Sequence, residues 1–426
     1  MVQPMRKSQT DSNKTNHCPI HIWEDYPLQG TALDVPLAIV LALPQEQRTK
    51  YIHDLLEAFQ TEIANDRMTL KKRVTFKREM RDLRKLLHEP ADKFLYTDDQ
   101  TFKRDILAKG APGSTHVYWS RLQMWKTKTK CGDLANEIAH KAPRLVASLE
   151  RLFNPNYISK EQFRYPKKSA VVNAIDYLET DRSLGIAFPP FHAKFFADRY
   201  LPLQGDGIVV DPCAGWGGRL LGTLCVHRTG HVRYYGVDPE RNNQETYDGL
   251  VRRINIWLEK ELYGKRSARV FCAPFEDWIR SKSAARLLGR TDLVITSPPY
   301  FSAENYNPAN NKQSANRYRT YADWRERFYR PLVQGAYDLL KPGGVFVLNI
   351  ANVAKAPTLE DDARSLAHDV GFENSGFFKL AMSIVPGTRT SQSVRHAVFV
   401  NGKQYKYEPV FVFRRPSSSA KPRMTS

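Results

Sequence analysis

Cysteine is scarce in this chain of 426 residues, and the five present (Cys18, Cys131, Cys213, Cys225, Cys272) form no CxxC pair and stand at no histidine spacing suited to zinc. That argues against a disulfide scaffold and against a structural metal, and it points to a reducing, cytoplasmic setting. No apolar run approaches the roughly 18 residues that a membrane span needs, and the N-terminus lacks the apolar core of a secretory signal, so neither membrane insertion nor export is expected. The glycine cluster near residue 215 is not followed by Gly-Lys-Ser/Thr, which argues against ATP use through a P-loop. Acid is also in short supply: 45 Asp and Glu face 64 Lys and Arg, a net charge of +19. Such a surplus favours a polyanionic partner, most simply nucleic acid, over a merely solvated basic surface. Internal repeats are absent, and only the ends (1–19 and 416–426) are polar and aperiodic enough to be expected as disordered tails.

What is present divides at about residue 185. Residues 20–185 read as mainly helical and basic. Gln45 to Phe59 places Tyr51, Leu55, Leu56 and Phe59 at helical spacing, Phe76 to Leu87 is a second helix ended by His88-Glu89-Pro90, and about Leu134 to Leu152 is a third closed by Asn154-Pro155. From Thr101 to Ala170 there are fourteen Lys and Arg against five Asp and Glu. Tyr118, Trp119, Arg121, Trp125, Lys126, Lys128 and Lys130 interleave aromatics with bases, and Lys168 extends the same field. This suits a surface that stacks on bases and touches phosphates; a solvated face with its tryptophans in a core fits the same letters equally well.

Residues 186–415 alternate short apolar runs with helical stretches, the pattern of a mostly parallel sheet with helices between its strands and an antiparallel hairpin at the end. Ile208 to Val210 is a buried strand, followed by Asp211, Cys213 and the turn glycines Gly215, Gly217 and Gly218, a loop that brings backbone N–H groups close to a small ligand. Alone it would suit a dinucleotide, a phosphate or an aminoacyl nucleoside. Val232 to Val237 ends in Asp238, placed to accept the hydroxyls of a ribose, an acid that a nicotinamide enzyme could use equally. Phe275, Glu276 and Asp277 follow a third strand and could flank an adenine, or be a core aromatic with two surface acids. The aromatic segment Ile186 to Tyr200, with Phe191, precedes the first strand and could wall a ligand or pack a junction.

Asp292 to Thr296 is a further buried strand, stopped abruptly by Ser297-Pro298-Pro299-Tyr300. Two successive prolines remove two backbone donors and fix two φ angles, leaving a hydroxyl, a carbonyl and a phenol ring rigidly at the strand's carboxyl end. That is a place to hold a flat ring bearing an amino group. The Asn-rich stretch Phe301 to Arg319 has no periodicity and reads as a mobile loop. Tyr321 to Leu340 reads as a helix with a break at Pro331, and Asn401-Gly402 as the turn of a hairpin.

Taken together, DPCAGWGGR (Asp211 to Arg219), SPPY (Ser297 to Tyr300), LKPGG (Leu340 to Gly344), YEPVFVF (Tyr407 to Phe413) and FPPFHAKF (Phe188 to Phe195) resemble the S-adenosylmethionine-dependent amino methyltransferases of DNA. Donor loop before tetrapeptide is one of that family's linear orders. The resemblance covers residues 186–415. It implies S-adenosylmethionine as cofactor, held by Phe191, Asp211, Cys213, Gly215, Gly217, Asp238, Phe275, Glu276 and Asp277, and catalysis by Ser297, Pro298, Pro299 and Tyr300. Serine in the first tetrapeptide position tilts the target towards N4 of cytosine over N6 of adenine, with an RNA base as a further alternative and a non-catalytic nucleic-acid-binding protein of this fold as the alternative of another class. DNA is the partner the resemblance implies, and the interleaved aromatics and bases make Trp119, Arg121, Lys126, Lys128, Lys130 and Lys168 its candidate contacts; a restriction nuclease partner and a solitary enzyme read identically, and the oligomeric state is left open.

Overall fold

A computed structural model describes residues 35–66, 76–107, 113, 122–127, 143–156, 169–181, 187–228, 230–261, 264–303, 305–384 and 396–417. The chain divides into two compact units, 1–73 with 125–184, and 74–124 with 185–426. The described residues 76–107, which the sequence groups with the N-terminal region, therefore fall within the second unit.

In the first unit the helices Leu37–Ala42, Gln45–Ala64, Pro143–Leu152 and Ala170–Asp181 surround a core of Tyr51, Leu55, Phe59, Leu149, Phe153 and Ile175. Trp125 is fully buried there, its ring 5.4 Å from that of Phe59. Of the two readings of that tryptophan, the core one holds.

The second unit is a mixed α/β, Rossmann-like domain. Its ten strands among the described residues are β1 (Leu95–Thr97), β2 (Arg104–Leu107), β3 (Gly207–Asp211), β4 (Val232–Val237), β5 (Arg266–Phe271), β6 (Thr291–Thr296), β7 (Leu340–Asn349), β8 (Glu373–Ile384), β9 (Ala397–Val400) and β10 (Lys403–Arg414). They form one sheet in the order β1-β2-β8-β10-β7-β6-β3-β4-β5, with β9 paired to β10. From β7 to β5 the pairs are parallel, and β10 is antiparallel to β7, β8 and β9. Both faces of β6 are buried along its whole length, as expected for a central parallel strand. β3 runs outward through β4 to β5, whereas β6 and β7 lie on its other side, so the strand order reverses between β3 and β6. Ligands of such sheets bind outside the carboxyl ends of the strands at that reversal. The glycine loop follows β3 and the Ser-Pro-Pro-Tyr turn follows β6, and Val209 and Val210 are in register with Leu293 and Val294. Topology alone thus makes the two motifs neighbours.

Local chemistry fits each element. Asn401 and Gly402 have φ of 51° and 71°, the left-handed pair a two-residue hairpin turn requires. Pro331 opens the helix Arg330–Leu339, and the chain before it widens into a π turn over Arg325–Tyr329, because a proline ring cannot sit against the carbonyl of the preceding turn. The aromatic segment forms the helix Pro190–Tyr200, which packs against the helix Gly218–Leu224 so closely that a methyl group on Gly222 would lie 2.0 Å from the Pro190 carbonyl oxygen. Lys194 Nζ, on the same helix, donates to the Leu87 and Glu89 carbonyl oxygens at 2.9 and 2.7 Å, satisfying the last turn of the helix Phe76–His88.

Candidate active site

Asp211, at the end of β3, is fully buried and accepts four hydrogen bonds: from Arg219 Nε and Tyr234 OH at 2.7 Å, Thr296 Oγ1 at 3.0 Å and the Cys213 amide at 3.1 Å. An ionised carboxylate has about four acceptor positions, so none remains for a ligand. The residue locks the glycine loop instead, tying β3 to the end of β6. The guanidinium of Arg219 also donates to the Cys213 carbonyl and lies over the Phe188 ring, 5.3 Å from its centroid. The Cys213 thiol is raised well above its ordinary value, first by burial and then by the charges of Asp211 and Asp238, so it stays protonated and is no nucleophile. Phe191 is fully buried with its ring 4.6 Å from that of Phe94; Phe188 is the aromatic of that segment that meets the loop.

Gly215 and Gly217 have φ of 60° and 83°. At Gly217 a Cβ would fall 2.7 Å from Leu250, whereas at Gly215 the nearest atoms are 3.8 Å away, leaving the loop open on that side. The Gly215 amide is held by Asp238 Oδ2 at 2.8 Å, and Asp238 Oδ1 accepts from the Glu240 amide at 2.9 Å. Burial pushes the Asp238 carboxyl up to about 7, partly offset by those two amides and reinforced by the charges of Glu240 and Asp211. A ribose hydroxyl donates best to the ionised form. Affinity for an adenosyl ligand is therefore expected to rise about tenfold between pH 6 and pH 8 and then level off, with Asp238→Asn flattening the profile; calorimetric titration of S-adenosylmethionine across that range is the check. The unfolded chain loses this proton near 3.8 and the folded chain near 7, so the contribution of this group to stability falls as pH rises through that window.

The Asn-rich stretch after the tetrapeptide is held in place, not left free as the sequence suggested. Glu240 Oε2 accepts from Asn307 Nδ2 at 3.0 Å and from Asn310 Nδ2 and Gln313 Nε2 at 3.3 Å. Arg317 pairs with Glu276 at 2.8 Å and Asp277 at 2.9 Å, Tyr318 OH donates to Glu276 at 3.0 Å, and the Tyr306 ring meets Trp216 of the glycine loop at 5.6 Å. Periodicity fails to signal this segment because side-chain amides, not a backbone ladder, fix it. Glu276 and Asp277 are thus committed at least partly to Arg317, and Phe275 packs in the core. Glu276 Oε2 and Asn243 Oδ1, in the turns after β5 and β4, are buried acceptors with no hydrogen-bond partner among the described residues. Together with Asp238 and the open face of Gly215 they fit the hydroxyls and amino group of an adenosine.

At the end of β6, Ser297 Oγ donates to Asn349 Oδ1 at 3.3 Å, and Tyr300 OH donates to Glu408 Oε2 at 3.1 Å. The Pro299 carbonyl accepts from the Phe301 amide at 2.9 Å, while the Pro298 carbonyl has no such donor among the described residues. Phe301 follows with a φ of 53°, a strained value for a bulky residue that turns the chain away immediately after the tetrapeptide. The structure therefore brings Ser297, Pro298, Pro299 and Tyr300 beside Asp211 through Thr296. It adds Arg219, Tyr234, Glu240, Asn349 and Glu408, which the sequence reading did not single out. For Asn349 a signal existed: it is a polar residue closing the apolar run Val345 to Leu348.

Trp119, Arg121, Lys128, Lys130 and Lys168 lie outside the described residues. Lys126 is described, and its ammonium pairs with Asp66. Among the described residues no group of three or more His, Cys, Asp or Glu could hold a metal ion, and no helix is long and apolar enough to cross a membrane.

Residues 291–422, just under a third of the chain, match the N6_N4_Mtase family model, described as DNA methylase. The matched part begins at β6 and contains the tetrapeptide, Asn349 and the whole of β10. Among curated proteins none matches. Among solved structures the chain is similar to a methyltransferase from Pyrococcus furiosus (12% identity, 55% of this chain and 85% of that one, TM-score 0.32). A SAM-dependent methyltransferase from Methanosarcina mazei follows at 13% identity, 52% and 98% coverage and a TM-score of 0.31. TrmN from Thermus thermophilus has 17% identity, 53% and 48% coverage and a TM-score of 0.29. Likenesses at these scores say nothing of what this chain acts on. Over residues 291–422 the chain is thus similar to a DNA methylase.

Proposed function

We propose that the protein transfers a methyl group from S-adenosylmethionine to the exocyclic N4 of cytosine in DNA. The observation that supports this reading is the Ser297 hydroxyl and the Pro298 carbonyl, which has no donor among the described residues, at the carboxyl end of β6, next to the glycine loop at the strand-order reversal. An exocyclic amine is a weak nucleophile because its lone pair is delocalised into the ring. Two acceptors that take its two N–H groups favour a more tetrahedral nitrogen and free the lone pair. Bound donor supplies an electrophilic methyl on a sulfonium, so alignment and electrostatics are what remain for the protein to provide. Tyr300, anchored by Glu408, is assigned to stacking on a base taken out of the helix, a step that uncovers a ring only 6% exposed in the structure. One N–H proton is released to solvent once the nitrogen has gained its methyl.

Serine, a neutral acceptor in place of a carboxylate, supports cytosine over adenine. The net charge of +19 supports a polyanionic substrate, and the basic, aromatic stretch with Trp119, Arg121, Lys126, Lys128, Lys130 and Lys168 is proposed to contact it. The test is incubation with mixed-sequence DNA or RNA and methyl-labelled S-adenosylmethionine, followed by digestion to nucleosides and mass spectrometry. N4-methylcytosine from DNA is the expected product. N6-methyladenine would correct the base, label only in RNA would correct the polymer, and no labelled base in either would overturn the reading.

A further inference from the structure

Asn349 closes β7, is buried with 2% of its surface exposed, and touches the tetrapeptide through one side-chain atom. Its amide is pinned at both ends. Nδ2 donates to the Pro409 carbonyl oxygen at 3.0 Å, and Oδ1 accepts from Ser297 Oγ at 3.3 Å. A carbonyl can only accept, so the nitrogen end must face Pro409 and the oxygen end must face Ser297. Pro409 is itself fixed, because the Ile350 amide donates to the same carbonyl at 3.3 Å while β10 lies in register between β7 and β8.

The consequence falls on the single proton of the Ser297 hydroxyl. With Asn349 Oδ1 taking that proton, both Ser297 lone pairs are left for an incoming group, and the hydroxyl cannot act as a donor to it. We propose that Asn349 is a positioning residue that makes Ser297 an obligate hydrogen-bond acceptor, so that the site takes a base with an amino group and repels one with a ring carbonyl at the same place. The inference rests on the function proposed above, and it assigns to Asn349 a role in the methyl-transfer step and none in donor binding.

The test is single-turnover methyl transfer with saturating S-adenosylmethionine for wild type, Asn349→Ala, Asn349→Asp, Ser297→Ala and the Ser297→Ala/Asn349→Ala double variant, with donor affinity measured in parallel by calorimetry. Asn349→Ala is expected to lower the transfer rate about 10- to 100-fold with donor affinity within about twofold of wild type. Asn349→Asp keeps an acceptor towards Ser297 but turns its second oxygen, also an acceptor, on the Pro409 carbonyl, so it is expected to recover only a small part of the rate. In the Ser297→Ala background the same Asn349→Ala change is expected to cost less than about threefold, because the hydroxyl it orients is gone. Equal losses in both backgrounds, or an Asn349→Ala rate within twofold of wild type, would overturn the role while leaving the proposed function standing. A wild-type chain that binds donor and labels no base would overturn both. Donor affinity that collapses in both the alanine and the aspartate variants would mark Asn349 as structural only and also overturn the role.

Discussion

Ser297→Ala is expected to lower methyl transfer by about 10²- to 10³-fold while leaving the affinity for S-adenosylmethionine within about twofold. The reason is where the hydroxyl sits. It stands one residue beyond β6, on a tetrapeptide whose two prolines cannot relax, and its proton is already engaged by Asn349. On the proposed function, removing it takes one of two acceptors from the target amine and leaves the proposed donor cradle, at the ends of β3, β4 and β5, untouched. A rate loss with unchanged donor affinity is the signature of an interaction made in the transition state alone. Ser297→Asp is expected not to restore activity, because a carboxylate there would face the Asn349 carbonyl oxygen, two acceptors against each other. Rates for both variants under single-turnover conditions decide the point; a Ser297→Ala enzyme within threefold of wild type would remove Ser297 from the chemistry.

Arg219→Met carries the largest expected effect on stability. The Asp211 carboxylate has 0% of its surface exposed and Arg219 4%, with Nε and Oδ2 2.7 Å apart. Deleting the cation leaves a buried negative charge with only neutral donors, Tyr234, Thr296 and the Cys213 amide, to hold it. Breaking one side of a buried pair in this way costs about 3–5 kcal/mol. The loss should register as a lower urea midpoint, and donor affinity should fall with it, because the same guanidinium ties the loop at the Cys213 carbonyl. Arg219→Lys is expected to recover little, since one ammonium cannot reach the carboxylate and the carbonyl in the fork geometry of a guanidinium. The double variant Asp211→Asn/Arg219→Met, with no orphaned charge, is expected to be more stable than Arg219→Met alone. A single variant that unfolds within 1 kcal/mol of wild type would show the pair to be dispensable.

By itself the sequence determined the class of the second unit and pointed to its candidate site. The fully apolar run Leu293 to Ile295 stopped by two prolines, the glycine turn after Val210 and the Asn401-Gly402 hairpin each encode their conformation within a few residues, because steric limits on φ and missing backbone donors are local properties. Tertiary structure alone decided what each side chain does there. Asp211 reads as a ligand-binding acid, yet its four hydrogen bonds come from residues as far as Thr296, 85 positions away. Glu276 and Asp277 are claimed by Arg317, about 40 positions on, and Glu240 by three amides of a stretch with no periodicity to signal it. The short strand Arg104–Leu107 joined the sheet through parallel pairing with β8 near residue 380, with Leu95–Thr97 antiparallel beside it, a partner set by long-range register and not by anything in their own letters. The physical reason is common to all of these. Backbone conformation follows mainly from nearest neighbours, whereas a buried carboxylate or amide takes whichever partners the finished sheet brings within about 3 Å, and that choice exists only once the strands have found their order.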